Sequence, residues 1–179
     1  MPPCSSLPTA YLTRNVFVGH IHPLYDLTVG AFIEHNKRLL LVFHKKLQVW
    51  ICIGGHVEMD EDPEMALWRE IFEETGLTKH NLQLIDLAQE RPEESSTGIK
   101  ILPIPFDFTV YFVGTSKIHR HIDLAYLLKS KTDKITHNIN ESTQYSWFSL
   151  HELEAIQKKM FRNVYKQCVF ALSKISDLS

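Results

Sequence analysis

Between Gly55 and Leu77 the chain reads GHVEMDEDPEMALWREIFEETGL, a stretch that fixes a helix, both of its ends and the charge on one of its faces. Asp62 before Pro63 reads as an N-cap followed by proline at the first helical position, where a missing N–H costs nothing. Gly76 reads as the terminating residue. The spacing predicts a helix over Pro63 to Thr75, roughly three to four turns. At about 100° per residue, Met65, Leu67, Trp68, Ile71 and Phe72 share one apolar arc, with Ala66, Glu70, Glu73 and Glu74 on the other side. One face is therefore core and the other acidic.

Glu70, Glu73 and Glu74 stand at i, i+3, i+4, and like charges at those spacings destabilise a helix by about 0.2–0.5 kcal/mol per pair. Arg69 relieves part of that field, four residues from Glu73 and able to swing toward Glu61 in the preceding loop. A guanidinium cannot fill an oxygen-rich cage, whereas Mg²⁺ takes one or two carboxylates and keeps positions open for water and substrate phosphate. A charge-rich solvated helix would explain REIFEE alone, but the flanking Gly54-Gly55 and Gly76 argue against that simpler account. Seven specified residues and two apolar ones at set positions arise by accident less than about once in a million chains of this kind.

With every specified position filled, the segment resembles the Nudix box, a loop–helix–loop that in its family binds a divalent metal and hydrolyses a nucleoside diphosphate linked to another moiety. The resemblance implies that Glu70, Glu73 and Glu74 are metal-ligating carboxylates and that the Gly54 carbonyl is a backbone ligand. It further implies that Arg69 and Glu61 form a structural ion pair orienting the catalytic helix. The implied cofactor is Mg²⁺, with Mn²⁺ as a substitute, and the implied fold is a single Nudix α/β/α sandwich with a mixed central sheet. That domain takes in residues 1–179, with a core from about Asp26 to Leu153.

Periodicity leads to the same order of elements. Leu27 to Phe32 and Leu39 to Phe43 are apolar runs around the polar link Glu34-His35-Asn36-Lys37, a hairpin pattern. Gln48 to Ile53 reads as a third strand feeding into Gly54-Gly55, and further strands are expected at Leu82 to Ala88, Phe106 to Val113, Ile122 to Leu128 and Tyr145 to Phe148. Ser149 and Glu152 have capping-box spacing, and a last amphipathic helix is expected from about Gln157 to Ser173, with Met160, Val164, Cys168 and Leu172 aligned. Strands on both sides of a helix, closed by a C-terminal helix, suit an α/β/α sandwich.

The 179-residue chain has room for one substantial core, and a net charge of −2 gives no nonspecific attraction to nucleic acid or membrane. Three cysteines do not make a disulfide framework. No apolar run of membrane-spanning length occurs, and Met1 to Ala10 lacks the basic and apolar regions of a signal peptide. A cytoplasmic setting is the resulting expectation, with a nucleotide-derived small molecule as partner and a homodimer left open.

Among the ten histidines, His119, His121 and Asp123 alternate on one expected strand. Three such positions span roughly 13 Å, too far for one ion, so the polar lining of a cleft or an exposed strand is the simpler account. The segment HRHIDLAYLL is similar to one bordering the substrate pocket in a branch of the Nudix family, which implies His121 and Asp123 as substrate-binding residues. His56 lies inside the box, at a position that varies freely in the family pattern.

Pyrophosphate hydrolysis needs charge neutralisation and a base within reach of the attacking water. Glu73 or Glu74 can supply the base from the box, while Glu141 resembles a later glutamate that some family members swing into the site. Base recognition needs an aromatic plane, with Trp50, Phe106, Tyr111 and Trp147 as candidates. The leading expectation is a Mg²⁺-dependent hydrolase of a phosphoanhydride in a nucleotide sugar, an ADP-ribose-like compound or a nucleoside triphosphate. The alternative is a non-catalytic Nudix-fold sensor of a nucleotide metabolite. Sensors of that kind usually carry an eroded box, and this one is complete.

Overall fold

The computed structural model describes residues 24–88, 98–114, 118–136 and 144–177. In chain order these form β1 (Tyr25–His35), β2 (Arg38–His44), β3 (Val49–Ile51), β4 (Ile53–His56), α1 (Pro63–Thr75), β5 (Leu82–Ile85) and β6 (Asp107–Phe112). Then follow β7 (Arg120–Ser130), β8 (Gln144–Ser149), α2 (Leu150–Ile156) and α3 (Arg162–Asp177).

All eight strands join one mixed sheet. At its centre β1 runs parallel to β7, in register from Tyr25↔Arg120 to Glu34↔Lys129. The other edge of β1 carries antiparallel β4 over Thr28 to Ala31 and β2 at Glu34 and His35. β2 in turn pairs with β3 and β8, while β7 takes β6 along its first half and β5 along its last.

Alternation along the strands separates two cores, because successive side chains leave opposite faces. Val29, Ala31, Ile33, Leu40, Val42, Tyr126 and Leu128 pack with Ala66, Leu67 and Ile71 of α1. Phe32, Leu39, Leu41, Ala125 and Leu127 pack with Leu153 of α2 and Val164, Cys168, Ala171 and Leu172 of α3. The result is the α/β/α sandwich, with α1, among the described residues, the one helix on its face.

The β1–β2 hairpin closes on Asn36 and Lys37, both at positive φ (50° and 62°), as a two-residue type I′ turn demands. The Glu34 side chain accepts the Lys37 N–H at 2.6 Å. The third strand is not continuous. β3 pairs with β2 and β4 with β1, so the chain changes neighbour at Cys52. β5 stops at Ile85 rather than Ala88, since the Asp86 carboxylate takes the Ala88 N–H at 3.1 Å and competes with the ladder.

α1 has the expected bounds, with Asp62 accepting from the Met65 N–H and Gly76 capping at φ 70°. Its buried stripe is rotated from the expected arc. Ala66, Leu67, Ile71 and Thr75 are buried, while Met65 and Phe72 are 50% and 58% exposed. Small Ala66 lets the helix lie close to the sheet, which the apolar pattern alone does not reveal. The Ser149–Glu152 capping box is present. The last helix begins at Arg162, not Gln157, because a 3-10 turn (Gln157–Lys159) ends in extended Met160, which bridges to Trp50. It then runs on to Asp177. Among the described residues no helix is long and apolar enough to cross a membrane.

Candidate active site

Strand β4 delivers Gly54 and Gly55 directly beneath the acidic side of α1. A Cβ on Gly55 would overlap the Glu70 carboxylate, and one on Gly54, at φ 149°, would overlap the Val29 carbonyl. The glycine pair therefore lets a helical carboxylate rest on strand backbone. One turn further along, Glu74 Oε2 accepts the Gly54 N–H at 3.3 Å.

Arg69 ties this arrangement to the loop. Its Nε donates to Glu61 Oε1 at 2.7 Å and its Nη2 to Glu61 Oε2 at 2.9 Å, a bidentate pair. Nη1 reaches Glu70 Oε1 at 2.7 Å and Glu73 Oε2 at 3.2 Å, and Nη2 also donates to the His56 carbonyl at 2.8 Å. One guanidinium thus joins loop, helix and strand. Its hydrogen bonds with Glu61 hold the Glu61 carboxyl below the usual range and keep Arg69 charged. Glu70 moves the other way, because burial raises its pKa despite the Arg69 contact.

Glu61, Glu70 and Glu73 therefore share the Arg69 guanidinium, while Glu74 accepts the Gly54 N–H. The donor set is oxygen-rich and one carboxyl is desolvated against the Gly55 backbone, features that fit a hard divalent ion. Glu73 is the outermost, with its side chain 56% exposed. Lys100, not anticipated from sequence, bonds Asp62 at 2.9 Å and Glu64 at 3.0 Å at the start of α1.

Other anticipated residues lie elsewhere. Trp50 sits in the second core, edge-on to Phe148 at 4.8 Å between ring centres, and is not brought to the box. Phe106 stacks on Phe170 in the same core, and the Trp147 indole N–H bonds the Asp133 carbonyl at 3.1 Å. Glu141 lies outside the described residues. Asp123 accepts the Thr28 hydroxyl at 2.7 Å, and burial pushes its carboxyl above the usual range.

His119 and His121 do not gather with Asp123. They gather instead with Asp26 of β1, their ligand atoms all within 4.8 Å of one another. The register places Asp26 opposite His121. His56 joins them from β4, its Nε2 3.5 Å from Asp26 Oδ2 and 3.3 Å from His121 Nε2. The aromatic edge of Tyr111 borders His121 at 5.7 Å. Asp26 was invisible as a site residue because only parallel pairing, not sequence distance, brings it to the histidines. The one available signal was a carboxylate at the head of an apolar strand.

Comparison with known proteins agrees with this geometry. The NUDIX domain model matches residues 24–171. A protein from Lactococcus lactis named as a probable DHNTP pyrophosphohydrolase is 30% identical over 112 residues, covering 62% of this chain and 58% of its own. Human nucleoside diphosphate-linked moiety X motif 6 is 25% identical over 154 residues, covering 76% of this chain and 49% of its own. The chain thus spans about half the length of these relatives. The crystal structure of a NUDIX-family hydrolase from Clostridium perfringens superposes with a TM-score of 0.72 at 29% identity, over 84% of this chain and 97% of that one. The carboxylates set on Gly54-Gly55, the Arg69 bridge and the match over residues 24–171 place this chain in the Nudix family.

Proposed function

We propose that the protein is a divalent-metal-dependent pyrophosphohydrolase acting on a nucleoside diphosphate linked to another moiety. The observation carrying this reading is the convergence of Glu70 and Glu74 on Gly54-Gly55 with Arg69 bound to Glu61, Glu70 and Glu73.

In this reading Glu70, Glu73, Glu74 and the Gly54 carbonyl hold Mg²⁺ or Mn²⁺. When bound, such an ion neutralises phosphate charge and lowers the pKa of an attacking water. Arg69 and Glu61 fix the helix so that these carboxylates keep their spacing, and positioning of this kind carries much of the catalysis of phosphoryl chemistry. Glu73, the most solvent-open of the three carboxylates, is the group placed to take a proton from water. A comparison of Glu73→Gln with Glu141→Gln decides that role, since the base variant loses kcat with little change in KM. In the same reading the moiety beyond the diphosphate would lie along β7, beside Tyr111 and Asp123.

The test is a phosphate-release screen with Mg²⁺ and with Mn²⁺ against nucleoside triphosphates, ADP-ribose, nucleotide sugars and dinucleoside polyphosphates. Dihydroneopterin triphosphate joins the panel because of the name of the Lactococcus lactis relative. Metal-dependent turnover of at least one class is expected. Binding without turnover of any would overturn the enzymatic reading.

A further inference from the structure

We infer that Asp26, His56, His119 and His121 form a second metal site, of the zinc class, on the sheet face opposite α1. The face follows from alternation. Asp26 shares the parity of Phe32, which packs toward α2 and α3, whereas Val29, Ala31 and Ile33 pack toward α1.

Three of the donor-to-donor distances match the edges of a tetrahedral site, while Asp26, His119 and His121 together span up to 4.8 Å, so an ion would draw the set inward. Zinc bonds of about 2.0–2.1 Å to imidazole nitrogen and carboxylate oxygen put neighbouring ligand atoms about 3.3–3.4 Å apart. His119 Nε2 to Asp26 Oδ2 is 3.2 Å, His56 Nε2 to Asp26 Oδ2 is 3.5 Å, and His56 Nε2 to His121 Nε2 is 3.3 Å. The backbone register sets three of the four donors, since Asp26 lies opposite His121 and His56 lies opposite Thr28, two residues on from Asp26. Asp26 is fully buried and His119 is 6% exposed. His56 and His119 bring their Nε2 atoms to the buried Asp26 carboxylate while His121 Nε2 meets that of His56, a crowd of ring nitrogens that cannot all be proton donors to one another. A cation accepts all of them at once.

Donor chemistry separates this site from the first. Three imidazoles and one carboxylate suit Zn²⁺ and its neighbours Co²⁺, Ni²⁺ and Cu²⁺, whereas the all-oxygen set on α1 suits Mg²⁺ or Mn²⁺. Four protein donors also close the coordination, as in structural rather than catalytic zinc sites. Its mechanical place is clear from His56, which follows Gly54-Gly55 and whose carbonyl accepts from Arg69. Metal bound here would brace the strand on which the α1 carboxylates rest.

The test uses the full chain, stripped with a chelator and titrated with Co²⁺ and Zn²⁺. Tetrahedral Co²⁺ has intense visible bands and octahedral Co²⁺ only faint ones, so the spectrum reads the geometry without reference to activity. Intense bands that Zn²⁺ abolishes are expected in the wild type and in the Glu70→Gln/Glu74→Gln double variant. They should be lost in His119→Ala, His121→Ala and Asp26→Asn. Faint bands alone in the wild type would overturn the site, as would bands that survive His119→Ala but vanish in the glutamate double variant. If the histidine and aspartate variants fail to fold, the wild-type and double-variant spectra decide between the same outcomes.

Discussion

The two polar clusters flanking β4 lie within a few residues of each other, yet they are assembled in opposite ways. The carboxylate cluster comes from one continuous loop and helix, is ordered by a single arginine and opens toward solvent at Glu73. The imidazole cluster draws on three strands and the residue before β7, and its carboxylate is fully buried. The first carries surplus negative charge beside open coordination space, which suits an exchangeable hydrated ion and a charged substrate. The second centres on a buried carboxylate with buried His119 beside it, which suits a brace. Proximity along β4 therefore does not make them one site.

The largest effect should come from Glu74→Gln, which keeps shape and removes a charge from the carboxylate cluster. The expected loss in kcat is about two orders of magnitude or more, with the melting temperature and the Co²⁺ spectrum preserved. Steady-state kinetics together with thermal unfolding separate those quantities. Loss of both activity and cobalt bands would mean that the two clusters are a single unit.

Arg69→Ala should act on structure as well as rate. It strands Glu61 and Glu70, whose side chains are only 12% and 15% exposed, on either side of the missing cation. Removing one partner of a buried pair typically costs 3–5 kcal/mol, and partial exposure of Arg69 places this case near about 3 kcal/mol. Denaturant unfolding checks the figure, and a cost under about 1 kcal/mol would reduce Arg69 to a surface charge.

Within that network, Glu61 and Glu70 should respond to pH with opposite sign. Glu61 titrates below the usual range when folded, so its contribution is present above its unfolded pKa and lost as pH falls through the folded one. Glu61→Gln should then cost about 1.5–3 kcal/mol at neutral pH, the range for a hydrogen bond to a charged group, and less in acid. Glu70 titrates high, so it contributes stability below its unfolded pKa that disappears as pH rises through the folded value. Metal-free Glu70→Gln should therefore be no less stable than wild type at neutral pH, with the advantage closing toward acid. Parallel melting curves for the two variants across pH would break this part of the contrast.

The same division explains what was legible in the sequence. The α1 cluster could be anticipated because helix geometry converts spacing into position: Asp62, Pro63 and Gly76 fix the ends, and Glu70, Glu73 and Glu74 follow. The hairpin and the Ser149–Glu152 cap were legible for the same local reason. Tertiary geometry hid the rest. Met65 and Phe72 look like core, but Ala66 and Thr75 face the sheet instead. The strand breaks at Cys52 because β3 and β4 choose different neighbours. The Asp26 contact depends on a parallel register about a hundred residues long in sequence terms, and no periodicity encodes it. Trp50 fits a stacking platform on paper, and α2 and α3 supply the packing that claims it.

Asp123→Asn should have the smallest effect and probes the ground between the clusters. Burial dominates its upward shift, with Asp107 adding to it and the Thr28 hydroxyl opposing it. A raised folded pKa means that its favourable contribution is present in acid and lost as pH rises through the folded value. Asparagine keeps an oxygen for the Thr28 hydroxyl and carries no charge to bury. The variant should thus stay within about 1 kcal/mol of wild type, shifting upward relative to it as pH rises. KM is the more informative readout, because a side chain that contacts substrate equally in ground and transition states changes KM alone. A raised KM with unchanged kcat and unchanged cobalt bands would assign Asp123 to the substrate wall and leave both clusters intact. A change in the bands would instead extend the imidazole cluster along β7 beyond His121.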